Sequence, residues 1–286
     1  MSSEFWAILA AAAWAADSIL VRKGTAYSNP STAALISFLV SVVSLVPYVF
    51  IQYPLEKIFH PANLYFVLSG MIQPAIVRVL FYMGIVRLGV SRAGPIRGIA
   101  PLFSLVIAFL VLQERPGWLV YAGACLTVAG TWLVSYRRAG EAQWRTFDLL
   151  FPLGAAMLAS VSQNIRKLGL NATGEPLLSS TVSIVTSFLC LVGSLSLSGN
   201  IRSLNFSRDC LPYYVSAAVF ALVGQLFTFY ALYSGQVSVV SPIINTTPLF
   251  IVGFTALFLR GEEKITKLVV IGVALLVAGI AVITAR

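Results

Sequence analysis

The sequence predicts an all-α integral membrane protein of ten transmembrane helices, arranged as two inverted five-helix repeats. Three observations predict it. Hydrophobic residues make up 58% of the 286-residue chain and charged residues 10%, with a mean hydropathy of +0.90. A soluble domain carries roughly 25% charged residues, so this chain lacks the polar supply to cover a globular surface and takes lipid as its solvent. Ten apolar runs are long enough to cross a bilayer. And one phrase is written twice: PIRGIAPLF at 95–103 and PIINTTPLF at 242–250.

The spans fall at about 4–22, 31–52, 63–86, 90–112, 117–136, 147–167, 177–198, 211–233, 237–259 and 266–285, each near the 20 apolar residues a crossing requires. The first starts at MSSEFWAIL, with Glu4 and no basic residue, so it reads as a helix rather than a signal peptide. Connections are short. The longest polar one, YRRAGEAQWRTFD at 136–148, lies near mid-chain. It divides the chain into a first repeat at 1–138, a linker at 139–146 and a second repeat at 147–286.

The duplication runs in order along both halves. The two phrases share five of nine residues at an offset of 147. Arg22-Lys23 matches Arg166-Lys167, Phe81-Tyr82 matches Phe229-Tyr230, Glu114 matches Glu263, and GACLTVAG at 123–130 matches GVALLVAG at 272–279. Five crossings per half is an odd number, so the second half enters from the opposite side. That inverted repeat lets one central site face either side by rocking.

The net charge of +9 belongs to loops flanking the membrane rather than to a nucleic-acid surface. About 12 Lys and Arg residues lie on the side of the first connection and about 5 on the side of the termini, which places both termini outside. Cys125, Cys190 and Cys210 show no metal or disulfide spacing, and His60 stands alone in a polar loop. No cofactor or metal is expected. HExxH, GxSxG and P-loop patterns are absent from the sequence, so neither an enzyme nor a primary pump is expected.

The stretch FYMGIVRLGVSRAGPIRGIAPLFSLVIAFLVLQERPGWLVYAGACLTVAGTWLVS at 81–135 resembles the EamA family of the drug/metabolite transporter superfamily, and 229–284 is similar again. Trp14 with Arg22-Lys23 resembles that family's first-helix opening. The resemblance implies a ten-helix secondary transporter. Its central cavity is lined by helices 1, 3 and 4 and their mates 6, 8 and 9, with helices 5 and 10 peripheral. It implies a multi-pass protein of the cell (inner) membrane that exports amino acids or other metabolites. It also implies cytoplasmic termini, opposite to the charge count.

An arginine at the bilayer centre costs about 2.5–3.5 kcal/mol. Arg78 in the third span and Arg97 in the fourth lie that deep. Each either pairs with Asp17 or freed carbonyls, or offers a cation to a substrate; the prolines around Arg97 favour the second role there. Pro95, Pro101, Pro242 and Pro248 each free the carbonyl four residues back, and irregular backbone at that depth belongs beside protein or a wet cavity. They are read as hinges, against a packing kink without a ligand.

Where the first phrase has Arg97-Gly98, the second has Ile244-Asn245-Thr246-Thr247. One wall would carry a cation and the other an amide and hydroxyls. Asp17, three residues after Trp14, shares its face and serves as counter-ion, proton-coupling group or ligand for an amine. Tyr82 follows Arg78 by one turn, Gln225 precedes Phe229-Tyr230 by one turn, and Gln163 occupies the sixth span. All are substrate-binding candidates, against the alternative that polar groups glue helices together.

The expected function is alternating-access transport of a small organic metabolite with an acidic group, such as an amino acid or organic anion, in the export direction. A zwitterion or drug-like solute beside structural arginines is the alternative, and a membrane-embedded enzyme ranks last. The partners are that solute and the lipid bilayer, without nucleic acid. Proton coupling or exchange, and monomer or homodimer, stay open.

Overall fold

The structure, a computed structural model, describes residues 2–88, 93, 96–135, 145–199, 204–258 and 267–285. It is all-helical, 86% helix, with no strand among the described residues. Helix α1 (Ser3–Gly24) starts where the Ser2 hydroxyl accepts the Phe5 N–H, and ends with Arg22 and Lys23, cations that suit the negative end of the helix dipole. Helix α2 (Pro30–Gln52) begins with proline at its first position, and Asn29 caps Thr32.

The third expected span is not one helix. It comprises α3 (Leu64–Gly70), a π segment at Met71–Ile76 and α4 (Val77–Leu88). Gln73 is extended, with φ −126° and ψ 120°, because Pro74 crowds the α conformation of the residue before it. The carbonyls around the break find donors across the bundle: Ser183 Oγ to Phe66, Ser162 Oγ to Ser69 and Ser187 Oγ to Gly70. This is how irregular backbone is tolerated at membrane depth.

Then follow α5 (Ala100–Val111), α6 (Trp118–Ser135), α7 (Leu150–Thr173), α8 (Pro176–Leu197), α9 (Leu211–Ser234), α10 (Val237–Ile244), α11 (Thr247–Phe258) and α12 (Lys267–Thr284). Pro101 and Pro248 are the second residues of α5 and α11, so these prolines restart helices after a break. Pro242 lies inside α10. Pro95 is outside the described residues.

Among the described residues six helices are long and apolar enough to cross a membrane: α1, α2, α8, α9, the α10–α11 run Val237–Thr255, and α12; α5 and α6 are shorter apolar helices. Helix α7 has the length but gathers Ser160, Ser162, Gln163, Asn164, Arg166 and Lys167 near its middle.

Helix α1 lies along α9, α7 along α3, α4 and α5, α2 against α8 and α9, and α6 along α12. The α6–α12 crossing is built on glycine. A Cβ on Gly130 would lie 2.7 Å from the Gly272 carbonyl oxygen, and one on Gly123 2.8 Å from that of Gly279. Small residues here let the backbones touch. Just before α7, Asp148 accepts from the Arg145 N–H at 2.9 Å and from Arg87 Nη1 at 3.0 Å. Those bonds, the backbone one first, hold its carboxyl below the ordinary range.

Candidate functional site

A cavity of about 510 Å³ opens between α1, α2, α7, α8, α9 and the break at Gln73, within the range of small-molecule sites. No residue of α1 before Trp14 and none of α2 after Ser41 lines it. It therefore runs from mid-bundle toward the end where α1 hands over to α2. Its apolar wall includes Val21, Phe38, Ile184 and Ala221, and its polar groups include Asp17, Gln73, Gln163, Arg166 and Gln225.

Arg166 is the cation of this wall among the described lining residues. It is 5% exposed, its guanidinium carbon lies 5.3 Å from the centre of the Phe229 ring, and its buried Nε has no hydrogen-bond partner. The ring face offers cation–π attraction but no acceptor. A buried guanidinium with an idle donor beside a cavity suits a planar anion such as a carboxylate. Trp14 is fixed by its Nε1–H, which donates to Thr228 Oγ1 at 3.2 Å, and the ring lies against Gly224. Gln163 Oε1 accepts from Ser104 Oγ at 3.3 Å.

The structure brings together Trp14, Asp17, Gln163 and Gln225 of the expected residues. Phe229 is fully buried behind the wall, under Arg166 and 6.0 Å from Phe66. Tyr230 stacks on Trp6 at 5.4 Å, away from the cavity. Asn245 donates from Nδ2 to the Gly98 carbonyl at 2.9 Å. The two duplicated phrases thus meet at their breaks, since Gly98 and Asn245 are repeat mates at the offset of 147. Arg97, beside Gly98, is half-buried and does not line the cavity. The backbones of Arg78 and Tyr82 are on α4; their side chains lie outside the described residues.

Sequence reasoning missed Arg166 and Gln73 as lining residues. In the sequence Arg166 stands out only as half of a duplicated Arg-Lys pair, yet it lies three residues after Gln163, on the same helix face. Gln73 was signalled by the proline that follows it.

The chain matches an uncharacterized transporter of Archaeoglobus fulgidus at 26% identity over 275 residues, covering 96% of this chain and 94% of that one. Over 99 residues it is 34% identical to an uncharacterized protein of Methanocaldococcus jannaschii, covering 35% of this chain and 69% of that one. A solved crystal structure shares the fold at a TM-score of 0.80 and 15% identity, covering 99% of this chain and 96% of that chain. The EamA-like transporter family matches residues 1–136 and again 146–285, so the chain is a multi-pass membrane transporter and belongs to that family.

Proposed function

We propose that the protein moves a small organic metabolite bearing an acidic group, in the export direction, by alternating access between two inverted five-helix repeats. The observation that carries this reading is Arg166, buried in the wall of the cavity with an unpartnered Nε. An ionisable side chain buried within a membrane bundle marks a functional site by default. Gln73, Gln163 and Gln225 on the same wall supply amide donors and acceptors for the uncharged part of the solute. Trp14 and Phe38 supply apolar surface.

Packing supports the inverted repeat. First-half α1 lies along second-half α9, while second-half α7 lies along first-half α3 and α4. These are exchanged pairs, as a two-fold axis requires.

The experiment is a thermal-shift panel in detergent with amino acids, dicarboxylates, sulfonates, phosphorylated metabolites and organic cations. A compound that binds the folded state raises the melting temperature by mass action. Stabilisation by one acidic class supports the reading, and stabilisation by cations alone overturns it. On the same panel Arg97→Ala separates the two roles left for Arg97. If Arg97 serves the ligand, the variant stays folded and loses stabilisation. If it serves a structural ion pair, the variant loses about 3–5 kcal/mol of stability, because a stranded partner is expensive.

A further inference from the structure

The end of the bundle away from the cavity is held by charged groups whose hydrogen-bond partners lie outside the lining. Glu114, 8% exposed, accepts the Val237 N–H at 2.8 Å on one carboxylate oxygen and the Ser238 N–H at 2.9 Å on the other. Those are the first donors of α10, where helices leave N–H groups unsatisfied and favour an anion. Lys167 Nζ donates to the Leu232 and Gly235 carbonyls, each at 2.8 Å, at the end of α9, where helices leave carbonyls unsatisfied and favour a cation. The α9–α10 turn is gripped from both flanks, by α7 and by the segment after α5. Glu114 is delivered by Gln113, which is held at φ 57°, a left-handed conformation that a non-glycine residue adopts at a cost.

We propose that Glu114 and Lys167 form a latch that keeps this end closed while the cavity is open at the other, and that its release is a step of the transport cycle. The proposal rests on the alternating-access reading. The sequence supports it, because Lys167 has a repeat mate in Lys23, and the two differ in state. Lys167 is engaged at the α9–α10 turn, whereas Lys23 is exposed at the far end of α1. Equivalent residues in unequal surroundings are the mark of a two-fold scaffold caught on one side of its cycle. Neither Glu114 nor Lys167 lines the cavity, so both act as positioning residues.

The test is a distance measurement between spin labels at Asn171→Cys on α7 and Gln236→Cys at the turn, both exposed positions. Cys125, Cys190 and Cys210 are replaced by serine beforehand. Wild type is expected to show mainly one short distance. Glu114→Gln and Lys167→Met are each expected to enrich a longer distance about tenfold or more, as loss of charged hydrogen bonds predicts, and Lys167→Arg to restore the short one. Should Glu114→Gln not fold, Lys167→Met and Lys167→Arg carry the same comparison. Benzoate, a monocarboxylate, is added as a probe to each protein. If wild type shows the longer distance with benzoate but neither folded variant enriches it, the latch is overturned and alternating access stands. A single distance in every protein, with and without benzoate, overturns the alternating access beneath it as well.

Discussion

Arg166→Met is expected to abolish binding of the acidic solute while leaving the melting temperature of the empty protein at or above that of wild type. The two effects have one cause. In the folded protein the guanidinium is buried, its Nε has no hydrogen-bond partner and it rests on an aromatic face. Desolvating a charge that is incompletely satisfied costs stability. A methionine of similar reach removes that cost and keeps contact with Phe229. For the ligand the balance reverses. A hydrogen bond to a charged group contributes about 1.5–3 kcal/mol, so two such bonds from a fork predict a loss in affinity of about a hundredfold or more. Arg166→Lys keeps the charge without the fork and should fall between. The thermal-shift panel reads both quantities at once. A fall in stability of several kcal/mol in Arg166→Met would show instead that the arginine neutralises a partner inside the protein, and the substrate role would fail.

Gly130→Val, at the α6–α12 crossing, is expected to lose about 3 kcal/mol of stability or more, the upper part of the overpacking range. A Cβ there would meet the Gly272 carbonyl oxygen at 2.7 Å and the Leu276 backbone nitrogen at 2.8 Å. Backbone cannot rotate away as a side chain can, so the helices must separate. A Gly117→Ala control should cost little, since a Cβ there meets nothing within 4 Å. Thermal unfolding of the two variants in the same detergent makes the comparison. Equal melting temperatures would show that the crossing is loose in the membrane protein as it exists.

Much of this architecture was legible because membranes simplify the code. Apolar length gave α1, α2, α8, α9 and α12 nearly to their ends. Proline spacing gave the breaks before α5 and between α10 and α11. Trp14, Asp17, Gln163 and Gln225 were legible because polar side chains in an apolar span must face inward. Arg166 was passed over for a physical reason. In sequence it stands beside Lys167 at the end of the sixth expected span, 147–167, and a basic pair near a helix end normally reaches out to the interface. What distinguishes the two residues is rotation about the axis. Successive residues on a helix point about 100° apart, so Lys167 meets the α9–α10 turn while Arg166 meets the cavity. Which neighbours wait at those two angles is decided by tertiary packing. Gln73 needed a different kind of inference, since its proline announces a break without saying what the break opens onto.

The crossing of α6 and α12 is reciprocal. Gly123 meets Gly279 and Gly130 meets Gly272, although in the duplicated sequence Gly123 corresponds to Gly272 and Gly130 to Gly279. A contact of that form closes equally well between two separate copies of one half. Joining the halves therefore adds little to the crossing itself; what it governs is composition. Two unlinked identical halves would bring either two arginines or two hydrophobic residues to the positions of Arg97 and Ile244. The single chain brings one of each to the place where Gly98 and Asn245 meet, so the covalent join fixes one arginine and one isoleucine beside that contact in every molecule.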